Sequence, residues 1–274
     1  MKVFAFLVVV LLSFSCGSEY QHEYSDEEIK EELSKYNFRP VIIEQGNLVL
    51  KEVVDIPPFE DVSLELMHKN VKFRQGSNQL DFDLKKFVLG ERTVAETETG
   101  LTKEVSGQYL MVVGDEGNKY FSKHLKKDFS KGKNHLLAFL CRSYGISVKS
   151  DNSYTFHDIN INGLDGEISK NDKSPFLYLN TPEKEKKLTV SDPVLLDFYL
   201  VNFNIKKGGN YLVLKIDQQE IKLTKWCAYT VSGLSVGEHT FSIKAFNKEG
   251  SPLSGNLLEK VSTTFQITEG LIFE

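Results

Sequence analysis

With 274 residues, 41% of them hydrophobic and 26% charged, the chain has globular composition and room for two ordinary domains, which excludes disorder for its bulk. A count of 33 basic against 38 acidic residues leaves a net charge of −5, the wrong balance for a nucleic-acid binder, whose surface must displace counterions from phosphates. Three cysteines without a Cys-x-x-Cys spacing exclude a disulfide scaffold and a structural zinc site.

Residues 1–15 read as a signal peptide: Lys2 supplies the positive charge, and Val3 to Leu12 are ten unbroken apolar residues. As a helix that run is only about 15 Å long, half a bilayer core, and does not span it. Cys16 follows the small residue Ser15 and precedes Gly17-Ser18, as in a bacterial lipobox, except that Leu12 lies one place early and Ser13 stands where leucine is usual. Acylation of Cys16 is expected, with plain secretion after the small residues Ser13 and Ser15 as the alternative. Two or three acyl chains, at about 0.8 kcal/mol per buried methylene, hold a protein stably on a membrane. Residues 16–37 form an acidic tether with seven acids against two lysines; Ser25-x-x-Glu28 ahead of Ile29 and Leu33 predicts a short helix over 26–36.

From residue 38 the pattern is alternation in short runs, as in Ser63-Leu64-Glu65-Leu66 and Leu80-Asp81-Phe82-Asp83-Leu84, closed by Gly, Asn, Asp or Pro. The chain is therefore mainly β. Four segments recur in order. Leu80–Leu84 matches Leu196-Asp197-Phe198-Tyr199-Leu200, Gly107–Asp115 matches Gly209–Asp217, Phe121–Lys123 matches Leu223–Lys225, and His135–Cys141 matches His239–Ala245. Such duplication predicts two tandem immunoglobulin-like antiparallel β-sandwich domains, at 38–170 and 174–274, each with its own unfolding step. The last match sets Leu137, Phe139 and Cys141 level with Phe241, Ile243 and Ala245 and makes His135 and His239 equivalent strand-entry residues. Copy one carries about fourteen extra residues around Gly90–Gly100, a connection where binding differences tend to sit. Cys141 and Cys227 fall in different domains and are expected as buried free thiols.

Catalytic patterns are sparse: six scattered histidines give no metal-ligand spacing, and no nucleophile elbow, phosphate loop or dinucleotide turn is expected. No cofactor is implied. Lys123–Lys133 holds five lysines, among them Lys126 and Lys127, and reads either as an anion-binding patch or as a solvated connection. Asp158, Asn160 and Asn162 followed by Gly163 copy the start of a calcium loop, but Ser169 stands where a bidentate Glu belongs, so a turn is the competing reading. Trp226 and Tyr229 form either a binding platform or a cap on the second sandwich.

The stretches Lys133–Lys149, Ser174–Tyr178 and Leu195–Asn202 with Leu223-Thr224-Lys225-Trp226 resemble a family of Bacteroidota lipoproteins whose members often carry the automatic name phosphopeptide-binding protein. The resemblance spans roughly residues 60–270 and implies an exported, membrane-tethered, non-catalytic protein at the outer membrane or cell surface. Phosphopeptide chemistry does not carry over: Gly90-Glu91-Arg92 has no Ser-x-x-His at the distance a forkhead-associated domain needs. Two expectations stand, a binding or adhesion module for a glycan or an envelope protein, and a structural spacer or assembly subunit.

Overall fold

A computed structural model describes residues 40–53, 59, 61–67, 72–93, 107–113, 118–162, 165–168, 175–253 and 261–270. The leader, Cys16, the tether with its expected helix and most of the copy-one insertion lie outside the described residues. Among those described, every regular element is a strand.

The chain opens with a hairpin of β1 (Ile42–Gln45) and β2 (Leu48–Glu52). The first sandwich follows as β3 (Ser63–Leu66), β4 (Gly76–Lys85), β5 (Tyr109–Val113), β6 (Asn118–Tyr120), β7 (His124–Phe129), β8 (Gly132–Cys141), β9 (Tyr154–Asn162) and β10 (Asp165–Ile168). A second set runs β11 (Phe176–Thr181), β12 (Lys187–Thr189), β13 (Val194–Val201), β14 (Tyr211–Ile216), β15 (Gln219–Leu223), β16 (Tyr229–Ser232), β17 (Gly237–Phe246) and β18 (Val261–Thr268). In the first set the sheet β3-β4-β7 faces the sheet β10-β9-β8-β5-β6; in the second, β11-β13-β16 faces β12-β18-β17-β14-β15. With the extra strands β10 and β12 left out of the count, strands 1, 2 and 5 of each copy oppose strands 4, 3, 6 and 7, so the immunoglobulin-like plan is present twice.

Each copy has its own core, built from the inward half of the alternation. Leu64, Leu80, Phe82, Leu110, Ala138 and Ile159 are among those that fill the first. Leu177, Leu196, Phe198, Leu212, Ile243 and Phe265 are among those that fill the second.

The N-terminal boundary of the first domain differs from the sequence reading. β2 pairs antiparallel with β16, from Tyr229↔Glu52 to Ser232↔Val49, so residues 42–52 extend a sheet of the second sandwich. Leu48 and Leu50 enter the second core, while β1 stays largely solvent-facing. Gly46, at φ 61, makes the two-residue turn of the hairpin. The tip then rests on Gly233, where any Cβ would meet the Asn47 carbonyl oxygen at 1.8 Å. Sequence periodicity identifies a strand here but carries no information about a partner 180 residues away.

The face alignment of the last repeat also shifts by one residue. Leu110 pairs opposite Leu140, and Leu212 opposite Ala245. Leu136, Ala138 and Leu140 are therefore the equivalents of Phe241, Ile243 and Ala245, and Asn134, not His135, matches His239. Because the side-chain period is two, that slip sends Leu137, Phe139 and Cys141 out of their own core. They face the other sandwich.

Candidate functional site

The two sandwiches are fused by a third apolar layer. Tyr109, Met111 and Val113 of β5 with Leu137, Phe139 and Cys141 of β8 pack on Tyr199 and Val201 of β13. Phe139 stacks on Tyr199 with ring centroids 4.4 Å apart and lies 6.0 Å from Tyr178; Phe156 meets Phe176 at 5.5 Å. This explains why β5 and β13 are buried on both faces.

A polar lock sits inside the joint. The Asp197 carboxylate of β13 is fully buried and accepts from the Ser147 hydroxyl (2.7 Å), the Asn180 amide (2.9 Å) and the Lys149 ammonium (2.5 Å). Ser147 and Lys149 come from the segment after β8, so the lock crosses between copies. Lys149 also lies 5.8 Å from the Trp226 ring centre.

Trp226 and Tyr229 belong to this interior and not to a binding platform. The Trp226 indole N–H donates to the Phe198 carbonyl (3.1 Å) and its ring meets Tyr199 edge-on at 5.2 Å. Tyr229 is fully buried in the second core, its hydroxyl donating to the Lys225 carbonyl (3.1 Å). Lys126 is exposed on the outer face of β7, whereas Lys127 lies half-buried with its ammonium 5.9 Å from the Phe129 ring centre. Strand alternation splits the lysine run between two faces.

Asp158, Asn160 and Asn162 lie in line on β9, not around a loop. A strand rises about 3.3 Å per residue, so alternate oxygens are spread along the chain and do not converge on one ion. Asp158 is instead buried against His135 and Lys133. Among the described residues no group of three His, Cys, Asp or Glu side chains is placed to hold a metal.

The reading that no nucleophile elbow occurs is corrected by the chain itself: Gly233-Leu234-Ser235-Val236-Gly237 has that spacing. His239 lies beside it and its Nδ1 meets Asp217 at 2.8 Å, as in a catalytic triad. The third contact does not fit. The other ring nitrogen, Nε2, lies 2.8 Å from the Ser235 main-chain carbonyl, so it is occupied where it would have to take a hydroxyl proton. The motif links β16 to β17, two strands, and lacks the strand-to-helix turn that exposes such a serine. These residues brace a hairpin.

The outer face of β15, β14, β17 and β18 is open. It occupies the same position in the second copy as the buried junction face in the first, and its residues differ accordingly. Met111, Val113, Leu137 and Phe139 correspond to Val213, Lys215, Ser242 and Lys244 by strand register. A shallow depression of about 540 Å³ crosses this face, lined by Lys215, Lys244, Glu220, Thr240 and Phe246 among others. Tyr211 and Phe246 stand in parallel at 5.4 Å, and Lys222 covers Tyr211 at 3.6 Å from the ring centre. The pairing of Lys222 with Tyr211 repeats that of Lys119 with Tyr109, at 5.5 Å, in the first copy.

Cys141 and Cys227 are free, buried thiols. Burial pushes Cys227 up to about 12 from an ordinary 9.0, and burial with the nearby Asp197 charge pushes Cys141 higher still. Burial likewise raises Tyr178 to about 12 and Tyr199 well above its ordinary 10.0. Folded-state values above unfolded ones stabilise fully below the unfolded pKa and lose that contribution as pH climbs toward the folded one. The melting temperature is therefore expected to fall from about pH 9 upward. A thiol reagent at about pH 8 is expected to label neither cysteine in the folded chain from Gly17 onward and both in guanidinium. A melt unchanged up to about pH 11, or prompt labelling of the native protein, would contradict this burial.

No protein-family model matches the chain, and no curated protein matches it. Among solved structures, fibronectin(III)-like modules of Clostridium thermocellum CbhA match at 10% identity over 77% of this chain and 97% of theirs, with a TM-score of 0.29. The extracellular domain of a one component system from B. thetaiotaomicron matches at 13% over 83% of this chain and 36% of its own, with a TM-score of 0.25. SGBP-B of the Bacteroides ovatus mixed-linkage glucan utilization locus, in complex with a mixed-linkage heptasaccharide, matches at 10% over 75% and 47%, with a TM-score of 0.19. The fold assignment rests on the chain's own strand order.

Proposed function

We propose that the chain is an exported lipoprotein, acylated on Cys16, of the Bacteroidota family it resembles, and that it works at the outer membrane or cell surface as a non-catalytic binding module. Its contact surface is the open face of β15, β14, β17 and β18. The observation that carries this reading is the contrast between equivalent faces. Where the sheet is covered, its outward positions are Met111, Val113, Leu137 and Phe139; where it is open, they are Val213, Lys215, Ser242 and Lys244 beside a paired Tyr211 and Phe246. Aromatic surface combined with lysines and hydroxyls suits recognition of a polar partner, a glycan or an envelope protein, better than further apolar packing.

Two experiments test it. Cys16→Ser is expected to move the protein from the detergent phase to the aqueous phase of a Triton X-114 partition; an unchanged partition refutes the lipid anchor. The chain from Gly17 onward, fluorescently labelled, is expected to bind isolated envelopes. Lys215→Gln/Lys244→Gln should weaken that binding on the order of tenfold, and equal binding by the variant refutes the assignment of the face.

A further inference from the structure

We propose that the open face of the second sandwich docks onto the outer face of β3-β4-β7 in a second copy of this chain, repeating between molecules the junction that each molecule already contains. This rests on reading the open face as the binding surface, and it names the partner.

The register fixes which residues would meet. Leu64 pairs opposite Leu84 and Leu177 opposite Leu200, so Glu65, Ser63 and Asp83 occupy the places of Tyr178, Phe176 and Tyr199. Leu137 pairs opposite Phe156 and Ser242 opposite Ser262, so Ser262 stands for Phe156, as Lys244 stands for Phe139. Inside the molecule Phe139 stacks on Tyr199 and flanks Tyr178. At the same place between molecules, Lys244 arrives over Asp83 and beside Glu65.

Those two carboxylates are direct cross-strand neighbours. Like charges so placed repel and are relieved by an incoming cation. Neither has an ion pair with any described residue, and neither does Lys244 or Lys215. The next contact converts as consistently: Phe156 on Phe176 becomes Ser262 facing Ser63, one hydroxyl against another. At these two contacts an aromatic pairing within the chain is thus matched by a polar one between its two ends, Lys244 with the two carboxylates and Ser262 with Ser63, while Lys85 takes the place of Val201 and Lys215 stands opposite Glu220 on its own sheet.

The two mating faces are different surfaces, so the contact is heterologous and extends head to tail instead of closing as a dimer. Exposed ion pairs are individually weak and screened by salt, which makes the association concentration-dependent and salt-sensitive. Anchoring many copies on one membrane raises their effective concentration.

Sedimentation velocity of the chain from Gly17 onward, at low ionic strength and rising concentration, tests this. Dimers and longer species are expected, reverting to monomer in high salt. Lys215→Gln/Lys244→Gln and Glu65→Gln/Asp83→Asn should each be monomeric alone, with association weakened on the order of tenfold. Mixed, they should form one-to-one pairs that grow no further, because each retains one intact face; that pairing also shows that both variants are folded. A monomeric wild-type chain, association stopping at dimers, or a mixture that fails to pair overturns the proposal. A monomeric wild-type chain whose envelope binding is still weakened by Lys215→Gln/Lys244→Gln overturns only the second copy as partner and leaves a glycan or another envelope protein on the face. If that variant changes neither measurement, the reading of the face falls as well.

Discussion

Leu50→Ala is expected to destabilise the protein by about 2–5 kcal/mol, the cost of emptying a fully packed leucine site, although residue 50 precedes the first sandwich by more than ten positions. Leu50 is wholly buried in the core of the second sandwich, on a strand that hydrogen-bonds to β16. Trp226 is the single tryptophan and packs against that core, so its fluorescence reports the loss directly during denaturant unfolding. Ile42→Ala, on the exposed edge strand of the same hairpin, is the control and should cost no more than about 0.5 kcal/mol. Equal effects of the two substitutions would show that the hairpin is not part of the core. The same topology predicts that a chain lacking residues 1–53 loses Leu48 and Leu50 from the second core and bares the edge of β16, an invitation to aggregation.

The consequence for function is geometric. The first described strands, β1 and β2, belong to the second sandwich, the copy that also carries the open face with Lys215 and Lys244. The first sandwich packs on it through the apolar layer and turns outward the face of β3-β4-β7 that carries Glu65 and Asp83. One cooperative transition for the whole body is expected in place of the one per domain that tandem duplication suggests, since separating the copies would expose Phe139, Tyr199 and Met111 together.

How much of this was legible depends on the kind of information each feature needs. Strand content and duplication are local and periodic, and Leu80, Phe82 and Leu84 announce the equivalence with Leu196, Phe198 and Leu200 without error. The joint was half visible. β13 reads as Val-Leu-Leu-Asp-Phe-Tyr-Leu-Val, a run apolar on both faces apart from Asp197, whereas its twin β4 alternates cleanly, and a doubly apolar strand must be covered on both sides. That signal lies in the aligned sequence: Tyr199 matches Asp83, and only a strand covered on both sides calls for an aromatic there. The one-residue slip at His135 has a similar source: both copies alternate through this strand, so hydrophobicity alone accepts either register, and only the pairing of Gly132 and Gly237 as strand starts separates them. Trp226 is the single tryptophan, but nothing local distinguishes a tryptophan at a surface from one sealing a joint. The hairpin's partner strand is the least legible feature of all, because strand pairing over such a separation leaves no periodic trace.

Asp197→Ala is expected to cost about 3–5 kcal/mol, the range for breaking a buried ion pair by removing one partner. The charge itself is not a source of stability in isolation: a carboxylate taken fully out of water is tolerated only because Ser147, Asn180 and Lys149 converge on it. Truncation leaves the Lys149 ammonium, itself mostly buried, against Tyr199 and Trp226 without its counter-charge. If the loss arises from that orphaned cation, Asp197→Ala/Lys149→Met should recover a large part of it, since methionine keeps the packing on the rings and removes the charge. Recovery will be incomplete, because the Asn180 amide and the Ser147 hydroxyl still lose an acceptor at about 1–3 kcal/mol per unsatisfied group. Denaturant unfolding followed by Trp226 fluorescence and by far-ultraviolet circular dichroism measures both variants. Coincident transitions in the wild type that separate in Asp197→Ala would identify the lock as what joins the two sandwiches into one cooperative unit. A single variant no less stable than the double one would refute the orphaned-charge account, and the joint would then owe its strength to Phe139, Tyr199 and their apolar neighbours alone.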